Sequence, residues 1–188
     1  MTNIDTYNSF KTSLWAGGTT TELFIWPIDS DFKTGNFQFR LSTATVEIEE
    51  SVFTKLPGVD RTLVLLDGKM ILEHTGHHQK NLAPFDIDHF SGSWETKSKG
   101  RCTDFNLMTK GGIEGKVSII DLKSYIEEHI VLDVGQHFFY NYHEPITITH
   151  SGVFQIASKS LTRISTKSKA SQITIVSKAA CSLVCVQI

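Results

Sequence analysis

The sequence predicts an all-β protein of 188 residues, and three observations support this prediction. Apolar and polar residues alternate along about ten or more short segments, the period that sends successive side chains to opposite faces of a strand. These segments are rich in β-branched and aromatic residues, and turn residues separate them at intervals of roughly 8 to 12 residues. No long amphipathic helix is predicted. The pattern is typical of a β-sandwich or barrel.

A strand from Thr19 onward is predicted after two glycines in the segment LWAGGTTTELFIWP. Gly17 and Gly18 predict a turn, because glycine adopts backbone conformations that other residues avoid. A glycine-rich turn binds phosphate when it opens a helix, but no helix follows here. Period-2 spacing places Glu22 on the same face as Phe24 and Trp26. Glu22 is therefore the chemically interesting residue of this segment.

Two later strands carry polar side chains among apolar ones. In FQFRLSTATVEI, Arg40 and Ser42 share one face, and in TDFNLM, Asp104 and Asn106 share one face. Burying an arginine or an aspartate is costly unless the charge is paired. These residues therefore either satisfy one another or contact a bound solute.

The segment RTLVLLDGKMILEH predicts a β-hairpin, since Asp67-Gly68 suits a tight turn between two apolar arms. Further strands are predicted in KVSIID, HIVLDV, HFFYNY, PITITH, GVFQIAS, LTRIS, QITIVS and SLVCVQI. A helix is an alternative only around LKSYIEEHIV, where apolar residues recur every four positions. The turn residues of KGGIEG predict a division into residues 1–112 and 113–188, which we expect to pack as one compact body.

Arg61 lies at the start of the predicted hairpin, directly after LPGVD. The planar guanidinium of arginine suits carboxylate recognition, so Arg40 and Arg61 are natural anchors for an anionic small molecule. The alternative is a structural network in which either arginine pairs with Asp104 or Glu22. The residues alone leave both interpretations open.

Histidine and cysteine patterns give little support to metal or nucleophilic chemistry. The chain has eight histidines but no H-x-H pair, and His77 lies next to His78 in a predicted turn. Convergence of His74, His77 and His89 is the alternative, but the sequence predicts no metal site and no cofactor. G-x-S-x-G, P-loop and G-x-G-x-x-G motifs are absent. Cys102 is interpreted as a packed strand residue.

Composition narrows the range of partners. The 18 Lys and Arg residues against 20 Asp and Glu give a net charge of -2, which offers no overall attraction to nucleic acid or anionic membranes. No stretch approaches the ~20 apolar residues of a membrane span, and no secretory signal is evident. Cys181 and Cys185 would lie roughly 13 Å apart on one strand, too far to form a disulfide. We therefore expect a cytoplasmic protein with reduced thiols.

Three ordered blocks between Trp15 and Gly112 resemble the HutD/Ves family: R-L-S-x-A in FRLSTATVE, P-G-x-D-R in LPGVDR and D-F-N-x-M in TDFNLM. The resemblance implies a bicupin, in which one chain forms two β-sandwich (jelly-roll) cupin units. It also implies a regulator or small-carboxylate binder linked to bacterial histidine utilisation, with urocanate or formylglutamate as the expected ligand type.

The resemblance implies a ligand-binding cluster of polar residues. Its members are Glu22, Arg40, Ser42, Arg61, Asp104 and Asn106. One block departs from the family pattern W-x-N-G-x-G-x-T-x-E: aligned on the glutamate, Trp15 occupies the asparagine position and Ala16 the first glycine position. A changed ligand would therefore first be reflected in this block.

Three functional hypotheses follow. The leading one is a non-catalytic binder of a small carboxylate. The second is a cupin isomerase or hydrolase in which Glu22 or Asp104 is the general base. The third is an interaction module in which the aromatic segment HFFYNYHEP forms a surface for self-association as a homodimer, although aromatic strands are more often core.

Overall fold

The structure is a computed structural model that describes residues 2–188. Within this range the chain forms strands and no helix, which confirms the all-β prediction. Residues 2–188 accordingly include no helix of the length and apolarity that crossing a membrane requires.

Nineteen strands lie between residues 2 and 188. In chain order they are β1 (Thr2–Tyr7), β2 (Lys11–Trp15), β3 (Gly18–Trp26), β4 (Phe39–Val46), β5 (Glu50–Val52), β6 (Val59–Gly68), β7 (Met70–His74), β8 (Gln79–Leu82), β9 (Ile87–Ser91), β10 (Thr96–Lys99), β11 (Cys102–Lys110), β12 (Lys116–Leu122), β13 (Glu128–Leu132), β14 (Gly135–Asn141), β15 (Ile146–Thr149), β16 (Val153–Ile156), β17 (Ser160–Thr166), β18 (Ser171–Ser177) and β19 (Cys181–Gln187).

The strands form two compact units. The first unit comprises residues 10–114, and the second combines residues 2–9 with residues 115–188. The sequence placed residues 2–9 with the first unit, whereas in the structure β1 pairs antiparallel with β17 along its whole length. Because this pairing joins residues far apart in sequence, local patterning does not reveal it.

The first unit is a sandwich of two antiparallel sheets. Its six-stranded sheet has the order β2-β3-β4-β11-β6-β9, and its four-stranded sheet has the order β5-β10-β7-β8. Apolar side chains from both sheets meet in one buried cluster. The cluster contains Val46, Leu63, Leu65, Met70, Leu72, Leu82, Phe90 and Cys102. Burying this apolar surface holds the two sheets together.

The second unit has the same two-sheet design. Its sheets have the orders β1-β17-β14-β19-β12 and β13-β18-β15-β16. The core between them is almost wholly aliphatic. It contains Leu122, Leu132, Phe139, Ile146, Ile148, Ile156, Ile164, Ile173, Ile175 and Leu183. The predicted aromatic strand is part of this unit's interior, since Phe138 and Phe139 are fully buried and Tyr140 nearly so. These three rings are therefore unavailable as a surface for self-association.

The predicted hairpin at Asp67-Gly68 is wrong in its pairing. β6 pairs with β11 and β9, while β7 pairs with β10 and β8 in the other sheet. Gly68 has a positive φ of 87°, and a Cβ there would lie 2.5 Å from the carbonyl oxygen of Arg101. Gly100 is matched to it, since a Cβ there would lie 2.3 Å from the carbonyl oxygen of Lys69. Because neither glycine has a Cβ, the backbone at Gly68 and Gly100 can lie close to these carbonyl groups. The chain therefore continues from β6 into β7 of the other sheet instead of forming a hairpin.

A bulge in β3 corrects the predicted face of Glu22. Glu22 pairs with Ser42 but Phe24 pairs with Leu41, so Leu23 is an extra residue in this strand. Because Ser42 and Leu41 point to opposite faces, Glu22 and Phe24 do as well. Phe24 stacks on Phe39, at 5.7 Å between ring centroids, while Glu22 faces the polar residues of β4.

The segment LKSYIEEHIV, for which a helix was the alternative, forms no helix and is irregular or extended. Tyr125 has a positive φ of 57°, and residues 128–132 form β13. The other turn prediction is confirmed: β2 and β3 are joined at Ala16-Gly17, and a Cβ on Gly18 would lie 1.9 Å from the carbonyl oxygen of Thr45.

Candidate functional site

The six-stranded sheet of the first unit brings Arg40 and Arg61 onto one face. Met108 on β11 pairs with Arg40 on β4 and with Arg61 on β6, so the two arginines flank the same position of the central strand. Adjacent strands lie about 4.8 Å apart, which puts the two Cα atoms roughly 10 Å from each other. Both long side chains can therefore reach the space above Met108.

Arg40 is held by a carboxylate, a hydroxyl and an aromatic ring. Its Nε donates a hydrogen bond to Glu22 Oε2 at 2.8 Å, and its Nη1 donates to Ser42 Oγ at 3.1 Å. Its guanidinium carbon lies 4.3 Å from the ring centroid of Phe32. Arg40 is buried, whereas the Glu22 side chain is 28% exposed. These contacts fix the direction of the guanidinium.

Arg61 is connected to Asp104 through an amide. Its Nε and Nη2 both donate to Asn106 Oδ1, at 3.2 and 3.0 Å, and Asn106 Nδ2 donates to Asp104 Oδ1 at 3.1 Å. The Arg61 guanidinium carbon also lies 4.7 Å from the centroid of the Phe53 ring and 5.1 Å from that of Phe90. Asn106 thus bridges the buried guanidinium of Arg61 and the buried carboxyl group of Asp104 through hydrogen bonds.

Burial shifts the pKa values of both of these charged groups. Desolvation lowers the pKa of Arg61 to about 10, although the charge of Asp104 opposes the shift and the charge of Arg40 adds to it. Desolvation raises the pKa of Asp104 to about 6, against the hydrogen bond from Asn106 and the charge of Arg61. The positive charges of Arg40 and Arg61 therefore repel each other. An added anion would relieve this repulsion.

Each guanidinium keeps one terminal nitrogen that no side chain or carbonyl among residues 2–188 accepts from. The hydrogen bonds of Arg40 use Nε and Nη1, and those of Arg61 use Nε and Nη2. The terminal nitrogens without such an acceptor are Nη2 of Arg40 and Nη1 of Arg61. Two cationic donors on one face of a sheet have a geometry that suits an anion.

The structure brings all six predicted site residues together on one face of the sheet. Their positions follow from the register, because Glu22 pairs with Ser42 and Ser42 pairs with Asn106. The predicted structural network therefore exists, with the pairs Arg40–Glu22 and Arg61–Asn106–Asp104. Whether the cluster also binds a ligand remains a prediction.

A second polar cluster lies nearby in the same unit. His74 Nε2 is 3.0 Å from Asp88 Oδ2, and His78 Nε2 is 3.1 Å from Asp88 Oδ1. His74 and Asp88 are buried, and the His78 side chain is 39% exposed. Desolvation lowers the pKa of His74, which favours its neutral form even though Asp88 acts in the opposite direction.

The predicted alternative of a His74, His77 and His89 cluster is only partly realised. His77 stacks on Trp94, at 3.7 Å between ring centroids, and His89 Nδ1 lies 2.9 Å from Thr62 Oγ1. His78 and Asp88 take their places beside His74. Sequence reasoning missed both, because a turn after β7 reverses the chain and brings His78 back over His74.

The cysteines and a cavity of the second unit lack comparable chemistry. The three cysteines are free, as the sequence predicted, and burial raises the pKa of Cys102 to about 12 and that of Cys185 to about 11. Such thiols are poor nucleophiles at neutral pH. A cavity of about 380 Å³ in the second unit is lined by β12, β13 and neighbouring residues, among them Lys116, His137 and Cys185. Its lining contains no arginine.

The sandwich units and their strand order define the protein as a member of the cupin fold class. The fold matches AerE from Microcystis aeruginosa with a TM-score of 0.68, 8% identity and coverage of 95% of this chain and 96% of that one. It matches YlbA from E. coli with a TM-score of 0.69, 11% identity and coverage of 98% and 90%. At such low identity these likenesses concern the fold alone.

The chain belongs to the HutD family, whose sequence model matches residues 7–183. HutD from Pseudomonas fluorescens SBW25 matches with a TM-score of 0.76, 18% identity and coverage of 99% of this chain and 100% of that one. The conserved protein of unknown function PA5104 from Pseudomonas aeruginosa PAO1 matches with a TM-score of 0.86, 18% identity and coverage of 98% of both chains. No curated protein sequence matches the chain. The resemblance read from the three sequence blocks is thereby confirmed for HutD.

Proposed function

We propose that this chain is a cytoplasmic, non-catalytic protein that binds a small carboxylate of the urocanate or formylglutamate type and regulates histidine utilisation. One observation carries the proposal: Arg40 and Arg61 are buried on one face, and each has a terminal nitrogen without an acceptor among residues 2–188. A carboxylate presents two oxygens, one for each of these donors.

The charges of the cluster also favour an anionic ligand. Arg40 and Arg61 contribute two positive charges, which Glu22 and Asp104 balance when both are ionised. Because the pKa of Asp104 is raised to about 6, the balance tips towards a positive cluster in weakly acidic solution. A bound carboxylate would restore neutrality and reduce the repulsion between the arginines.

The remaining members of the cluster suit the rest of such a ligand. Ser42 and Asn106 can exchange hydrogen bonds with it, while Glu22 and Asp104 orient the arginines or accept from an imidazole or amide N–H. The P. fluorescens HutD structure was obtained in a formate condition, and formate is the smallest carboxylate. Trp15 at the family's asparagine position is a reason to test several acids.

Calorimetry with urocanate, formylglutamate, histidine and formate tests the proposal. We expect one of these carboxylates to bind with one ligand per chain and the affinity to fall at least about tenfold in Arg61→Lys, which keeps the charge but loses the planar two-donor geometry. Arg101→Gln is the matched control, because Arg101 is an exposed arginine of the same unit. A folded protein that binds none of the four acids would contradict the proposal.

An enzyme acting on a related acid is the second candidate function, and the raised pKa of Asp104 favours it. A buried carboxyl group with a pKa of about 6 can serve as a general base near neutral pH. Incubating each acid with the protein and following it by NMR separates the two candidates. Turnover that Asp104→Asn abolishes would replace the binding role with a catalytic one, and an unchanged spectrum would favour the binding role.

A further inference from the structure

We propose that His74, His78 and Asp88 form a binding site for one divalent first-row transition-metal ion of the Zn²⁺ type. One ligand atom from each residue can be chosen so that all three lie within 4.8 Å of one another. Two imidazole nitrogens and one carboxylate oxygen are ligands that such ions accept, with a remaining position for water.

The spacing of the donor atoms suits coordination to a single ion. Metal–nitrogen and metal–oxygen bonds of about 2.0–2.1 Å in a tetrahedral site separate neighbouring donors by roughly 3.3 Å. His74 Nε2 lies 3.0 Å from Asp88 Oδ2, and His78 Nε2 lies 3.1 Å from Asp88 Oδ1 and 3.3 Å from Oδ2. Small rotations of the side chains would therefore allow an ion to bind.

Groups around these ligands already fix their orientation. The second ring nitrogen of His74, Nδ1, is 2.8 Å from Thr96 Oγ1, and the backbone N–H of His89 donates to Asp88 Oδ1 at 3.0 Å. Outer contacts of this kind select the histidine tautomer and hold the carboxylate. His74 is on β7, Asp88 on β9 and Thr96 on β10, so regular strands from both sheets hold these groups.

Aromatic rings cover part of the three-residue site, while His78 leaves it open to solvent. The ring of Phe90 lies 4.5 Å from that of His74, and Trp94 makes edge contacts with both His74 and His78, at 5.6 and 5.8 Å between centroids. The exposed fraction of His78 leaves a path for the ion and a position for a solvent ligand. Buried donors beneath an exposed one are consistent with uptake from solution.

This site is separate from the six-residue cluster proposed to bind a carboxylate, which we call the carboxylate cluster, although both contact Phe90. Arg61 approaches the ring with its cation, and the His74 ring packs against it. The metal proposal does not depend on the carboxylate proposal, since the two sets of ligands share no residue.

Titrating tag-free, chelator-treated protein with Co²⁺ and Zn²⁺ tests the inference, with visible absorption for Co²⁺ and calorimetry for Zn²⁺. We expect one ion per chain and a higher melting temperature with the ion than without it. Thr96→Val should weaken binding about 10- to 100-fold, as loss of an outer contact does, and His78→Gln should weaken it further. Mg²⁺ and Ca²⁺ should not compete, because they prefer all-oxygen sites.

His77→Gln is the matched control, since His77 neighbours His78 in the same turn but faces Trp94. Its affinity for Co²⁺ should equal that of the unaltered chain. Asp88→Asn, nearly the same shape, gives a second ligand variant if circular dichroism shows that His78→Gln is perturbed. The inference is overturned if no saturable binding occurs, or if His77→Gln loses affinity as much as His78→Gln.

Discussion

The two units share a two-sheet design but differ in what they bury. In residues 10–114 the interior includes the charged residues Arg40, Arg61, Asp88 and Asp104. In the second unit, over the residues that the structure describes, no buried side chain is an arginine, lysine, aspartate or glutamate, and the core is mainly aliphatic. The shared fold is therefore a scaffold, and the buried charges indicate the unit in which we expect the functional site.

The largest effect should come from removing a buried charge in the first unit. Arg61→Ala leaves Asp104 buried without its cation, and we expect the free energy of unfolding to fall by about 3–5 kcal/mol. Arg163→Ala in the second unit removes a half-buried arginine that donates to Gln136, and should cost roughly 1 kcal/mol. Denaturant unfolding measures both values. Equal losses would erase the contrast between the units.

The next effect is a pH dependence of stability that originates at Asp104. Its carboxyl group has a pKa of about 6 in the folded protein against an ordinary value of 3.8, so the folded state binds more protons between these values. The contribution of Asp104 is therefore complete below about pH 4 and is lost as the pH rises through about 6. Its size is on the order of 3 kcal/mol, because each unit of pKa difference corresponds to about 1.4 kcal/mol.

Chemical denaturation of Asp104→Asn beside the unaltered chain isolates this contribution. Subtracting the two stability profiles removes the titration of all other groups. A difference that changes with pH between about 4 and 6 supports the raised pKa, whereas a difference that is flat across this range would show that Asp104 titrates normally.

Ligand affinity should depend on pH through the same carboxyl group. If a carboxylate binds near Arg61, its charge raises the pKa of Asp104 further, so affinity should increase as the pH falls through about 6 while the ligand stays ionised. A shift of about one pKa unit corresponds to a tenfold gain. Calorimetry at several pH values would reveal it, and Asp104→Asn should bind without this dependence.

The smallest effect concerns the aliphatic core of the second unit. Ile173→Val removes one buried methylene group and should lower the free energy of unfolding by about 0.5–1.5 kcal/mol. Affinity for the carboxylate or the metal should stay unchanged, because both sites consist of residues from the first unit. A change in either affinity would mean that the second unit does more than support the fold.

Much of the carboxylate cluster could be predicted because period 2 is a local property of a strand. Arg40 with Ser42, and Asp104 with Asn106, lie where alternation places them. The face of Glu22 could not be predicted, because the extra residue Leu23 leaves no local sign in an apolar run.

The sequence patterns could not predict which strands pair or which residues distant in sequence come into contact. Asp67-Gly68 is an ordinary hairpin signal, yet the dipeptide specifies a backbone conformation rather than a partner strand. The contact of His78 with Asp88 requires a chain reversal and the pairing of β6 with β9, and neither follows from residue spacing.

The pairing of β1 with β17 affects the order in which the chain can fold during synthesis. Residues 2–7 are synthesised before residues 10–114, but their partner strand β17 is synthesised only after them. Residues 10–114 can complete their sandwich in the meantime, because their strands pair within that range. Strand β1 therefore stays without its partner while residues 10–114 fold, and the synthesis of β17 determines when it joins a sheet.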